Sequence, residues 1–351
     1  MDKNNKAEGE AMRRRIILLI TLIFLQTVLG PGTGEAKYKD WDKYIERYQQ
    51  ENKYLQSEGG LIVFLGDSLT EYFPLDELRK RYNIINRGIR MDAVADAYSR
   101  LKVSVLDLKP QTVFIMLGTN DVCAYWLPPE EILARYQKLL ERIKAALPDS
   151  KIVVQSVLLT RNPAWNDYIR PLNTGLAQLC QQMDLVFLDH NQVLTEGDRL
   201  AARLTGDGIH LRQAGYDLLA DNIRRYLESP VVVKYQGRLV FSRLGSYQGQ
   251  PEVLVNLRSF AQATGGTVQW SNGQARLIKG GREFSWTVGQ KVAVLDGKEL
   301  VLDIPPAVVN NSLYVPLNPL AEAMGYTVNS AADKKTFTIN DAQVNENITK
   351  K

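Results

Sequence analysis

The sequence predicts a mostly parallel α/β sheet covered on both faces, followed by a small α+β module with an internal two-fold repeat. Three observations carry this. Short apolar runs alternate with helical patterns through residues 61–228. Each run stops at a turn rich in Gly, Asn or Asp. After Pro230 short β-like runs and Gly-rich turns take over, and one stretch recurs sixty residues later. Alternation of strand and helix buries parallel strands on both faces. Right-handed crossovers then gather the carboxyl ends of the strands on one rim.

Taken in order, residues 1–36 read as a signal peptide. Arg13–Arg15 form a basic patch, Ile16–Leu29 is a short apolar run, and Gly34 and Ala36 are small residues before a cleavage point after Ala36. Fourteen residues is short for a membrane span. The expected location is secreted or cell-surface, with an uncleaved amino-terminal anchor as the alternative. Residues 37–229 then form the first expected domain. Lys37–Glu58 reads as an amphipathic helix. Strands are expected at Leu61–Leu65, Asn83–Asn86, Thr112–Leu117, Lys151–Leu159 and Leu185–Leu188. Helices are expected at Ala93–Leu106, Pro129–Leu147, Trp165–Met183 and Leu211–Leu227.

Residues 231–340 form the second expected domain, and 341–351 a disordered tail. Val255, Leu257, Ala261, Ala263, Gly265, Thr267 and Val268 recur as Val315, Leu317, Ala321, Ala323, Gly325, Thr327 and Val328. Each copy reads as a strand, a short helix ending at a glycine, and a hairpin.

At 351 residues the chain suits two domains. A net charge of +4, with no basic cluster after residue 36, argues against nucleic acid. The two cysteines, Cys123 and Cys180, are too few for a disulfide framework, and Cys180 sits in an apolar helical pattern. Only two histidines exist, His190 and His210.

That scarcity sharpens the search for chemistry. Ser68 follows the first strand at Gly66-Asp67-Ser68, where open α/β sheets place ligands. Alone it reads equally as a nucleophile or a helix cap. A serine nucleophile needs a base and a group that orients the base. His210 lies three residues after Asp207 in a Gly-containing loop, so a tight turn can bring the carboxylate to its Nδ1–H. His190 lacks such a local partner. An oxyanion needs N–H donors, and the Ser68 N–H, Gly88 and the Asn120 side chain all end strands on the same rim. Trp126 and Trp165, with Tyr125 and Tyr168, could form an aromatic platform for a sugar, or simply pack in their loops.

Gly66-Asp67-Ser68-Leu69, Gly88, Gly118-Thr119-Asn120-Asp121 and Asp207-Gly208-Ile209-His210 together resemble the GDSL or SGNH hydrolase family, in the family's order. The resemblance implies a three-layer α/β/α fold with a five-stranded parallel sheet of flavodoxin-like type. It implies Ser68 as nucleophile, His210 as base and then acid, and Asp207 as its orienter. It implies an oxyanion hole from the Ser68 and Gly88 N–H groups and Asn120, and ester hydrolysis through an acyl-enzyme without metal or cofactor. Pro305–Asn311, Leu313–Leu317 and Ala321–Gly325 resemble the copper amine oxidase N-terminal-like domain. Residues 231–340 contain no histidine or cysteine, so an imidazole or thiolate copper site is excluded there. The expected function is an exported serine esterase for small acyl esters, chiefly O-acetyl groups on glycans, with cell-wall contact through 231–340. Acyl transfer to a surface glycan, or a surface-binding protein centred on 231–340, are the alternatives.

Overall fold

The computed structural model describes residues 40–55, 60–229, 231–247, 250–271, 273–309, 312–331 and 335–342. The expected signal peptide and residues 343–351 of the expected tail lie outside these. No described helix is long and apolar enough to cross a membrane.

The described residues begin with α1 (Trp41–Tyr54), then β1 (Ile62–Gly66), the single helical turn α2 (Ser68–Glu71) and β2 (Ile84–Gly88). After α3 (Val94–Ser99) come β3 (Thr112–Met116), α4 (Thr119–Cys123), α5 (Pro129–Ala146) and β4 (Lys151–Gln155). Then follow α6 (Pro163–Gln182), β5 (Val186–Leu188) and α7 (Gln213–Glu228). Strands β2, β1, β3, β4 and β5 lie side by side in that order, all parallel. This 2-1-3-4-5 order is the flavodoxin-like doubly wound arrangement.

Every residue of β1 and β3 is buried, which explains their unbroken apolar runs. Successive side chains leave opposite faces of a strand. Val63, Leu65, Val113 and Ile115 therefore pack in one core with Tyr136, Leu140, Leu172 and Leu176 of α5 and α6. Ile62, Phe64, Phe114 and Met116 pack in the other with Tyr216, Leu219 and Ile223 of α7. The three layers are thus two helical layers with the sheet between. The predicted strand Lys151–Leu159 is shorter, because Val157 and Leu159 donate their N–H groups to the Asn173 and Asn191 side chains instead of to a strand.

The sheet does not stop at β5. A hairpin of β6 (Val232–Tyr235) and β7 (Arg238–Val240) pairs onto it, with Phe187 N–H donating to Gly237 O at 2.9 Å. Lys234 and Arg238 of this hairpin bond Asp184 and Asp189 at 2.6 and 3.2 Å. Gly237 has φ of 74°, and a Cβ there would meet the Ala177 carbonyl at 2.2 Å. Gly237→Ala therefore combines a left-handed backbone with a clash against a helix, and we expect it to cost more than about 2 kcal/mol, read as a lower urea midpoint.

Beyond it lie β8 (Ser242–Tyr247), β9 (Gln250–Asn256), α8 (Leu257–Thr264), β10 (Thr267–Ser271), β11 (Gln274–Lys279) and β12 (Arg282–Thr287). β13 (Val292–Leu295), β14 (Lys298–Val301), β15 (Ala307–Val309), β16 (Ser312–Pro316) and α9 (Leu317–Ala323) follow, and then β17 (Tyr326–Ser330) and β18 (Thr336–Asp341). The sequence repeat is visible as geometry. β9–α8–β10–β11 and β16–α9–β17–β18 have the same order, and β9 pairs antiparallel with β16 so that Val255 faces Val315. Equivalent residues meet across a local two-fold. Both units share one core, in which Phe260, Leu320 and Tyr326 are buried. The second hairpin extends the main sheet: β18 runs parallel to β6.

Candidate active site

The site grows from the carboxyl ends of β1 and β3, where the strand order reverses. Asp67, not Ser68, caps α2: its Oδ1 accepts the Leu69 N–H at 2.9 Å. The Ser68 hydroxyl is thereby left for another partner. Ser68 Oγ lies 3.0 Å from His210 Nε2, and His210 Nδ1 lies 2.6 Å from Asp207 Oδ2. The Asp207 turn builds itself. Oδ1 accepts the N–H groups of Ile209 and His210 at 2.9 and 2.8 Å, and Thr205 Oγ1 accepts the Gly208 N–H at 2.9 Å. Burial pushes the Asp207 carboxyl up, but the His210 hydrogen bond and the two N–H donors outweigh it and hold the group down to about 2. Asp207 is thus an anion at neutral pH, and its Oδ2 beside Nδ1 favours the tautomer of His210 with its proton on Nδ1. Nε2 is then the acceptor facing Ser68.

His190, the other imidazole, is fully buried, with Nε2 2.9 Å from Gln155 Oε1. Burial pushes it down to about 3, so it stays neutral in the core. Both cysteines are free thiols.

The structure places Gly88 differently from expectation. Ile89 donates its N–H to Gly66 O, towards β1, so the preceding N–H of the strand points the other way. The Gly88 N–H donates to Asn86 Oδ1 at 2.8 Å. The position is glycine because a Cβ would meet the Glu71 N at 2.3 Å. Gly88 therefore lets β2 lie against the α2 backbone.

One conformationally unusual residue of this rim is Met91, which nothing in its side chain foretold. Asp92 N–H bonds Ile89 O at 3.2 Å, closing a four-residue turn whose third residue, Met91, has φ of 67°. Gly or Asn ordinarily fills that position. The turn is anchored on both sides. Arg90 clamps Glu71, Nη2 to Oε1 at 2.6 Å, and lies over the Tyr72 ring, itself 5.8 Å from the His210 ring. The Asp92 carbonyl accepts from Asn120 Nδ2 at 3.0 Å. This leaves the second amide hydrogen of Asn120 for another acceptor. The Asp92 carboxylate is buried between Trp41 Nε1 at 3.0 Å and Arg100 Nε at 2.6 Å, tying α1 to the rim.

Beneath Ser68, burial pushes the Asp67 carboxyl up to about 7, with the Asp92 and Asp121 carboxylates adding to the rise. Its Oδ2 has no partner among the described residues. A carboxyl raised in the folded state loses stability as pH climbs from its unfolded value to its folded one. Between pH 4 and 7 the wild type should therefore lose, relative to Asp67→Asn, an amount on the order of 2–4 kcal/mol. Urea midpoints of the two proteins across that range measure it; parallel curves would contradict it.

Trp126 and Trp165 come together, with ring centroids 6.4 Å apart, and Tyr168 stands edge-on to Trp126 at 5.9 Å. Trp126 is half exposed at φ of 52°, and Trp165 Nε1 is buried without a partner among the described residues.

Residues 64–218 match the family model of GDSL-like lipases and acylhydrolases. The chain carries a GDSL-like lipase/acylhydrolase domain. Residues 236–339 match the copper amine oxidase N-terminal domain. The acylhydrolase fold is shared with a candidate platelet activating factor from Streptococcus pneumonia. The TM-score is 0.50 and the identity 26%, over 60% of this chain and 99% of that one. A candidate acylhydrolase from Bacteroides fragilis gives a TM-score of 0.49 at 25% identity, over 54% of this chain and 98% of that one. A curated relative, the N-acylneuraminate cytidylyltransferase of Escherichia coli, is 28% identical over 165 residues. That match spans 46% of this chain and 39% of the relative's length. Among the described residues, no group of three or more His, Cys, Asp or Glu side chains could hold a metal ion.

Proposed function

We propose that the chain is an exported serine esterase that removes small acyl groups, chiefly O-acetyl, from glycans. The observation that supports this is the hydrogen-bonded series Ser68 Oγ, His210 Nε2, His210 Nδ1, Asp207 Oδ2. Ser68 Oγ attacks the ester carbonyl while His210 Nε2 takes its proton. The imidazolium is stabilised by Asp207. The oxyanion is received by the Ser68 N–H and the free amide hydrogen of Asn120, which carry negative charge best where they are already aimed. The Ser68 N–H opens α2, so it has no carbonyl within the helix to bond. The turn at Met91 is the source we assign for a further backbone donor, in place of Gly88. His210 then protonates the departing alcohol, and a water activated by the same Nε2 releases the acyl group from Ser68.

The glycan assignment draws on the Trp126–Trp165–Tyr168 group beside the strand ends, whose faces suit the apolar side of a sugar ring. The name of the curated relative adds an acylated sugar acid to the candidates worth testing. The experiment is a panel of chromogenic esters of rising chain length with O-acetylated xylan, peptidoglycan and neuraminate. Acetyl release from at least one glycan, with activity falling as the acyl chain lengthens, is expected. Trp126→Ala should raise KM for the glycan several-fold, consistent with about 0.5–1.5 kcal/mol for an aromatic contact, and should alter acetate-ester turnover less. Preference for long acyl chains with no glycan turnover would sink the substrate assignment and leave the ester chemistry standing.

A further inference from the structure

A second groove, of about 670 Å³, opens between the acylhydrolase domain and the repeat module. Gln192, Val193 and Arg225 line it from one side. The start of α8 with Arg258 and Gln262, and Trp270 of β10, line it from the other. Phe241 is buried at its base, and the Arg225 guanidinium lies 5.9 Å over that ring.

What sets the groove apart is its unspent hydrogen-bonding capacity. Around the active site, Arg90 and Arg100 are held in ion pairs with Glu71 and Asp92. Arg225 and Arg258 have no carboxylate within ion-pair range among the described residues, and no Asp or Glu lines the groove. Gln192 and Gln262 add two amide heads. Trp270 is 53% exposed. The amino end of α8 opens here too, and its positive partial charge adds to that of the arginines. Another groove of the module, of about 530 Å³, is lined by Glu252, Asp303 and Glu322, so these two differ in sign.

An exposed indole, amides and unpaired guanidinium groups recognise different parts of one kind of ligand. The indole packs on the C–H face of a sugar ring, amides bond hydroxyl groups, and guanidinium forks bind carboxylate or phosphate in two-point contacts. We propose that this groove binds an anionic glycan strand, and so gives the repeat module a glycan-binding role separate from the ester site. The two sites are linked by one rigid element. His210 lies three residues before the start of α7, and Arg225 lies twelve residues into it, roughly 18 Å along the axis at ~1.5 Å per residue. A strand held in the groove is thereby kept within reach of the rim that carries Ser68. The proposal stands or falls without the ester chemistry, since it concerns binding alone.

The test uses the full chain with Ser68→Ala, so that no ester is consumed, and reads binding by titration calorimetry. The probes are an oligogalacturonate, a phosphorylated oligosaccharide and a neutral xylo-oligosaccharide of matching length. At least one anionic probe should bind, at least tenfold tighter than the neutral one, and more weakly as salt is raised. Which anionic probe binds separates carboxylate from phosphate. Arg225→Gln with Arg258→Gln should weaken binding at least tenfold, and Trp270→Ala likewise. Arg258→Lys, which keeps the charge and loses the fork, should fall between. Urea midpoints confirm that these surface variants fold. The proposal is overturned by no binding of either anionic probe, by equal binding of the neutral one, or by anionic binding that survives the arginine changes. Binding of an oligonucleotide in preference to all three would overturn it too.

Discussion

Ser68→Ala is expected to lower kcat for a short-chain acetate ester by at least about 10⁴-fold, with KM nearly unchanged. The reason is local. The hydroxyl of Ser68 has His210 Nε2 as its partner, at 3.0 Å, and it does not cap the helix. That task belongs to Asp67, whose Oδ1 holds the Leu69 N–H. Alanine also keeps the backbone N–H that we assign to the oxyanion. The variant should therefore fold and bind ester as before, with an unaltered urea midpoint, and lose only the attacking atom. A large fall in stability alongside the lost rate would instead make Ser68 a structural residue.

Asp207→Asn is expected to cost about 10³–10⁴ in kcat, through the wrong imidazole tautomer. Asp207 Oδ1 is committed to the N–H groups of Ile209 and His210. Asparagine would keep its carbonyl oxygen on those donors and turn its amide nitrogen towards His210 Nδ1. Nδ1 would then become an acceptor and Nε2 would carry the proton, so it could not receive one from Ser68. Because Asp207 is held down to about 2, its own titration should leave no trace in a pH–rate profile above about pH 4. The variant should not recover at high pH. Recovery there would show that the carboxylate supplies charge and leaves the tautomer alone.

The parts of this site that depend on local chain chemistry were legible from residues alone. Strand β1 ends at a glycine and a serine, and Asp207 sits three residues before His210 in a turn that can close on itself. With two histidines in the chain, the candidates for a partner of Ser68 were few, and the structure puts His210 beside it while His190 is buried. The alternation of apolar runs likewise foretold a parallel sheet covered on both faces, most plainly at β1 and β3, where every residue is buried; it did not reveal the 2-1-3-4-5 order. What escaped depends on direction and on long-range pairing. A glycine at a strand end reads as a donor facing substrate. Whether its N–H points towards β1 or away from it depends on pairing register, which composition does not reveal. The strained residue, Met91, is concealed by an ordinary side chain where Gly would have drawn notice. Pairing of β7 on β5 was hidden as well, since a change of texture after Pro230 looks like an end to the first sheet. In the structure the continuation is carried by the Gly237 turn, packed on the Ala177 carbonyl, and by the Lys234–Asp184 and Arg238–Asp189 contacts.

The ester mechanism makes Ser68 the atom that carries the acyl group, and trapping tests that directly. The full chain is treated with a fluorophosphonate, which captures nucleophilic serines, and its mass is read before and after peptide mapping. One adduct per chain, located on Ser68, absent from Ser68→Ala and formed far more slowly by His210→Ala, is the predicted result. Labelling at another residue, or an Ser68→Ala protein that still turns over ester at the wild-type rate, would contradict the account.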